Sequence, residues 1–136
     1  MKILEILTEK RKIGNAGERA AVRHLKRHGY RIIAKNYVAA GAEIDIIARS
    51  CDTVVFVEVK TRTVGKTSPN EPRPASSVTS KKQRKIISAA KYFMGTHKKG
   101  YRMRFDVIEV LLDGKKKVQK ISHLVSAFNY NTAHPM

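Results

Sequence analysis

The chain has 136 residues, 42% of them hydrophobic, which suits one compact domain around one core. Its 28 lysines and arginines against 11 acidic residues leave a net charge of +17, a self-repulsion most simply offset by a polyanionic partner, with nucleic acid the first expectation. One cysteine, Cys51, excludes an internal disulfide framework and fits a reducing cytoplasm.

At the N-terminus Glu5, Glu9 and Lys10-Arg11-Lys12 interrupt the apolar stretches, so neither a signal-peptide core nor a membrane span is expected, and the chain reads as soluble and cytoplasmic. A first helix is predicted over 10–28, stopped by Gly29. Glu18, Ala21, Val22 and Leu25 follow i, i+3, i+4, i+7 spacing, which points Glu18 along the apolar stripe. Asn15 and Glu18 equally fit a capping box, in which Glu18 satisfies backbone donors at a helix start. His24 and His28 stand four apart but without an HExxH pattern, and among Arg23, Lys26 and Arg27 they read as a basic solvent face.

A short strand is predicted over 30–35, then two strands over 43–49 and 54–60 joined by the turn Ser50-Cys51-Asp52-Thr53. A two-residue or symmetric four-residue loop places Asp45 opposite Glu58, Glu43 opposite Lys60, Ile47 opposite Phe56 and Arg49 opposite Val54. The run Val54-Val55-Phe56-Val57 is apolar on both faces, as in a central strand, so Glu58 and Lys60 fall at the end of a buried strand. Ordinary ion pairing accounts for Glu43 with Lys60 but not for Asp45 against Glu58. Directly opposed like charges destabilise an antiparallel pair, and with Cβ atoms roughly 5 Å apart both carboxylates could hold one cation.

Residues 63–79, with Pro69, Pro72 and Pro74 among serines and threonines, are predicted as a long flexible loop that orders over a substrate. Gly65-Lys66-Thr67 matches the end of a phosphate-binding P-loop, but Lys60 stands where that pattern needs glycine, which rules out a nucleoside-triphosphate site. A second helix is predicted over 80–96, started by Ser80 with Gln83 as its capping-box partner. Gln83 also shares a face with Ile86, Ile87 and Ala90, which would turn it inward. A strand over 103–112, a tight Asp113-Gly114 turn and a return strand over 117–123 complete a single domain, 1–136.

Charge is unevenly placed along these elements. Residues 81–104 hold nine Lys or Arg and no acid, whereas residues 32–62 hold four of each, so carboxylates gather where the basic excess is absent. Phosphodiester hydrolysis needs a cation to polarise the phosphoryl oxygen and activate water, and charge to stabilise the developing pentacovalent phosphate. Mg²⁺ takes hard oxygen ligands, usually one or two carboxylates. Asp45 and Glu58 meet that need with the Val59 carbonyl as third ligand. Lys60 could position water or hold the phosphate, Glu18 could hold a water near the cation, and Gln83 could orient Lys60 or a phosphate.

The ordered set Gly17-Glu18-Arg19-Ala20-Ala21, Glu43-Ile44-Asp45-Ile46-Ile47 and Phe56-Val57-Glu58-Val59-Lys60-Thr61-Arg62 closely resembles the PD-(D/E)xK nuclease superfamily. Within it the chain is similar to the YraN-like family of predicted endonucleases, related to archaeal Holliday-junction resolvases. The similarity runs over about 13–128 and includes Lys82-Gln83-Arg84, Arg104-Phe105-Asp106-Val107 and His123-Leu124. Where relatives carry basic residues and a glycine leading into Glu43, this chain has Val38, Ala40 and Ala42.

The resemblance implies an α/β, restriction-endonuclease-like core, a mixed central β-sheet flanked by α-helices. It implies Asp45 and Glu58 as ligands of Mg²⁺ (or Mn²⁺), Lys60 as catalytic, and Glu18 and Gln83 in support. Arg62, Lys81, Lys82, Arg84 and Lys85 are the expected nucleic-acid contacts, with DNA placed before RNA and branched or single-stranded DNA among the substrates. A homodimer would follow from the junction-cleaving relatives, although nothing in the sequence marks an isologous interface. Two other readings compete with the endonuclease. One is a non-catalytic nucleic-acid-binding protein on a nuclease fold, and the other is a protein whose basic helices dock an acidic partner.

Overall fold

A computed structural model describes residues 2–65, 78–97 and 99–135. The chain runs α1 (Ile3–Arg27), β1 (Arg31–Ala39), β2 (Ala42–Ser50), β3 (Thr53–Thr63), α2 (Ser80–His97), β4 (Arg102–Leu112), β5 (Val118–Phe128) and α3 (Tyr130–Ala133). All five strands form one sheet in the order β1-β2-β3-β4-β5. Neighbours pair antiparallel except β3 with β4, which are parallel and therefore need the crossover that contains α2. This mixed sheet with flanking helices is an α/β fold consistent with a restriction-endonuclease-like core.

β3 is central, and the continuous apolar run Val54–Val57 is the reason: each of these side chains is at most 1% exposed. Val54 and Phe56 enter the layer beneath α2 with Ile86, Ile87, Ala90 and Phe93, while Val55 and Val57 enter the layer beneath α1 with Ala20, Ala21 and Leu25. Stacked rings extend the α2 layer across the sheet, with centroids 5.5 Å apart for Phe56 and Phe105 and 5.2 Å for Phe105 and Phe128. Each such buried side chain contributes about 1.5–3 kcal/mol relative to exposure.

The β2–β3 hairpin keeps its expected register, pairing Ser50 with Thr53, Arg49 with Val54 and Ile47 with Phe56 around a Cys51-Asp52 turn. β1 is longer than predicted and joins β2 through Ala40-Gly41, both left-handed at φ 51° and 75°. That conformation favours glycine, so Ala40 carries backbone strain.

α1 begins at Ile3, well before its predicted start, with Lys2 as an N-cap that makes no side-chain bond. Ile3, Leu4 and Leu7 in its first turns are 76%, 75% and 55% exposed. Asn15 and Glu18 therefore lie mid-helix, where no orphan backbone donors exist, and the capping box is excluded. At the other end Gly29, at φ 85°, turns the chain so that its amide meets Lys26 O and the Tyr30 amide meets Leu25 O, a Schellman arrangement.

The start of α2 also differs. The Lys82 amide donates to Thr79 Oγ1, so Thr79 caps the helix in place of the Ser80-Gln83 box. Between β4 and β5 the tight Asp113-Gly114 turn is replaced by a longer loop. There Asp113 Oδ1 accepts from the Lys115 and Lys117 amides, and the left-handed residue is Lys116 rather than Gly114. Most of the predicted loop 63–79, and with it the expectation that it orders over a substrate, lies outside the described residues. Among the described residues no helix is long and apolar enough to cross a membrane.

Candidate functional site

The β2–β3 ladder stops at the Ile46–Val57 pair. One residue further, the Asp45 side chain takes over the role of a backbone acceptor, and Oδ2 receives the Val59 N–H at 2.8 Å. Asp45 and Glu58 thus lie just past the point where β2 and β3 part. They line a cavity of about 320 Å³ with Glu43, Lys82, Lys85 and Ile86.

Electrostatics at this point are strongly perturbed. Burial, and then the adjacent Glu58 carboxylate, push the Asp45 carboxyl up to about 7, against the pull of the Val59 amide. Glu58, 7% exposed, receives Lys82 Nζ at 2.5 Å and has Lys60 Nζ at 3.7 Å from the same oxygen. Burial and the neighbouring Lys82 ammonium pull Lys60 down. Burial acts most strongly on Lys82 and lowers it, but the bond to Glu58 together with the Glu58 and Asp45 charges and the contact with Lys60 outweighs that and holds it raised.

The expected Glu43–Lys60 pair is not formed. Glu43 Oε1 accepts from Asn36 Nδ2 at 3.1 Å, because Glu43 pairs with Val38 on the β1 side, while Lys60 turns to Glu58. Asn36 also donates to Glu18 Oε1 at 3.0 Å and so ties α1 to the strand ends. It lies between the Lys35–Ile46 and Tyr37–Ile44 pairs with φ at 53°, a left-handed position that asparagine tolerates well. Sequence reasoning misses Asn36, whose only signal is an asparagine just past a short predicted strand.

Gln83 does not join this cluster. Its Nε2 donates to Val78 O at 2.8 Å and its Oε1 accepts from Thr132 Oγ1 at 3.0 Å, so it braces the start of α2 against α3. Lys82, next along the helix, is the α2 residue that reaches Glu58. The expected nucleic-acid contacts divide similarly. Arg62 Nε lies 2.8 Å from Glu109 Oε2, Lys82 is engaged with Glu58, and Arg84 Nη1 donates to Ala133 O at 2.9 Å. Lys81 and Lys85 are exposed, and Lys85 lines the carboxylate cavity.

A second polar cluster lies on the α1 side of the sheet. Asp106, fully buried, accepts from Arg104 Nε at 2.9 Å, Arg104 Nη2 at 2.8 Å and the Ser126 amide at 2.9 Å, and its Oδ2 lies 2.7 Å from His123 Nε2. Burial acts to raise Asp106, but the bonds from His123, Arg104 and the Ser126 amide hold it below its usual range. His123 Nδ1 is 3.1 Å from His24 Nε2. His24 is therefore part of a half-buried tie between α1 and β5, which corrects its reading as a solvent face.

Among the described residues no three His, Cys, Asp or Glu side chains converge as a ligand group. Asp45 and Glu58 form a two-carboxylate donor set on one cavity. That set fits Mg²⁺, which binds through one or two carboxylates and keeps several waters.

A family model described as "Uncharacterised protein family UPF0102" matches residues 17–110. This chain belongs to the UPF0102 family. Its UPF0102 relatives include a protein of Caldanaerobacter subterraneus subsp. tengcongensis, 40% identical over 88% of this chain and 96% of its own length. One from Caldicellulosiruptor bescii is 43% identical over 87% and 98%, and one from Geobacter metallireducens 43% identical over 85% and 91%. The UPF0102 match begins at Gly17, where α1 meets the sheet, and spans Glu18, Asn36, Asp45, Glu58, Lys60, Lys82 and Asp106.

Proposed function

We propose that this UPF0102 protein is a metal-dependent endonuclease of the PD-(D/E)xK type that hydrolyses phosphodiester bonds in DNA, with branched or single-stranded DNA as substrate. One observation carries the reading: Asp45 and Glu58 line one cavity just past the point where the β2–β3 ladder stops, and burial, then the Glu58 charge, pushes the Asp45 carboxyl up to about 7. Two repelling carboxylates are costly in a protein that only binds phosphate and useful in one that also holds a cation. Bound Mg²⁺ or Mn²⁺ would supply Lewis-acid polarisation of the phosphoryl oxygen and a more acidic attacking water.

The chain's own residues have distinct parts. Asp45 and Glu58 would hold the cation, with Asp45 oriented by the Val59 amide. Lys60, partly desolvated and with its proton held less tightly than usual, sits where it can orient water or the scissile phosphate. Glu18, fixed through Asn36, adds negative charge at the rim. The test is cleavage of labelled duplex, single-stranded, flap and four-way-junction DNA with Mg²⁺ or Mn²⁺, comparing wild type with Asp45→Ala. Cutting by the wild type alone supports the nuclease, and equal cutting by both refutes the site.

A second reading rests on Lys82 and Lys60, which both approach Glu58 and neutralise it from within the chain. On that reading the protein grips nucleic acid without cutting, with steeply salt-dependent affinity and no metal-dependent turnover.

A further inference from the structure

Three of the five cations first expected to meet nucleic acid are engaged within the protein, by Glu58, Glu109 and Ala133 O. The phosphate-binding surface is therefore to be sought elsewhere. Between α1 and β1 lies an open cleft of about 430 Å³ that shares Glu18 and Asn36 with the carboxylate cluster. Arg19 and Arg23 line it from α1 and Lys35 from β1, with Val22 between them. The two arginines are i, i+4 on the helix, about 5–6 Å apart at Cβ, and so stand side by side.

All three cations are exposed, and among the described residues no carboxylate comes within ion-pair distance of any of them. Glu18 is the cleft's acid, and its Oε1 is taken by Asn36. Three like charges around one concavity repel one another unless an anion lies among them, and the guanidinium fork suits phosphate oxygens.

We propose that this cleft binds the phosphodiester backbone of the DNA strand as it leaves the Asp45–Glu58 centre, through Arg19, Arg23 and Lys35. The inference rests on the nuclease reading for its direction and names a contact surface that reading does not. Asn36 joins the two places, since it lines the cleft and donates to Glu43, which lines the cavity of Asp45, Glu58 and Lys85.

Binding separates the two ideas. A labelled DNA duplex is titrated in EDTA over a range of salt with wild type, with Arg19→Ala/Arg23→Ala/Lys35→Ala, and with Lys115→Ala/Lys117→Ala/Lys120→Ala. The last set removes equal charge from the exposed β4–β5 end. Every phosphate that a variant leaves unneutralised lowers the slope of log affinity against log salt by about 0.9. The cleft variant is expected to bind at least tenfold more weakly and with a slope smaller by about 2–3, while the control stays near wild type. Arg19→Lys/Arg23→Lys keeps the charge and is expected to keep the slope. Equal weakening in cleft and control variants overturns the cleft and leaves the nuclease reading standing. No binding by the wild type overturns both.

Discussion

The sharpest consequence of the site concerns stability, and the perturbation is Asp45→Asn. In the folded chain the Asp45 carboxyl titrates at about 7 rather than 3.8. The folded state therefore holds a proton that the unfolded state has already released between those values. Stability falls with rising pH wherever the native state binds more protons, so it declines from about pH 4 to about pH 7 and stays reduced above. At 1.36 kcal/mol per pH unit the full loss is about 4 kcal/mol, and partial solvent screening brings it to roughly 2–4 kcal/mol. Asparagine keeps an oxygen for the Val59 amide and drops the charge. In urea unfolding with EDTA, Asp45→Asn should exceed wild type by roughly 2–4 kcal/mol at pH 8, with the gap closing by pH 4. Added Mg²⁺ or Mn²⁺ should stabilise wild type but not the variant. A variant no more stable than wild type at pH 8, or a gap indifferent to pH, would refute the account of Asp45.

Lys82→Met removes the cation closest to Glu58 and should tighten Mn²⁺ binding by about tenfold, or 1.4 kcal/mol, in calorimetric titration; unchanged affinity would mean that the lysine does not compete for Glu58. A Cβ added at Gly17 would stand 1.9 Å from Thr61 Oγ1 and 2.9 Å from Thr61 Cβ. Gly17→Ala should therefore destabilise by about 1–3 kcal/mol despite the better helix propensity of alanine, and in a Thr61→Gly background the cost should vanish in the same urea assay. Asp106→Asn leaves Arg104 and a protonatable His123 without their counter-charge and should cost about 3–5 kcal/mol at pH 7. Because Asp106 titrates below its usual range, its contribution should be present above pH 4 and fade as acid protonates it, which a pH series of thermal melts would show.

The β2–β3 pairing is legible in the sequence because a two-residue turn and an unbroken apolar run leave few alternative registers, and the meeting of Asp45 with Glu58 follows from that pairing. Lys82 and Gln83 are harder to tell apart. Adjacent helix residues point about a quarter-turn from each other, and which one reaches β3 depends on where the helix is capped, at Thr79 rather than Ser80. Asn36 is illegible for a different reason. Its role depends on a left-handed residue that breaks the alternation of β1 and aims its amide at carboxylates from α1 and β2. His24 is misleading because its basic neighbours suggest solvent, whereas its partner is His123, 99 residues away.

The early start of α1 divides that helix into two regimes of amide exchange. From Ala16 onward its face is sealed against the sheet, and those amides exchange only through large-scale opening. The first turns carry Ile3, Leu4 and Leu7 largely in water and are tied down near Glu9 by its ion pair with Lys116. A stretch that short is marginal as a helix without lateral burial, so its amides should exchange by local fraying and lose their protection well before the rest of the helix.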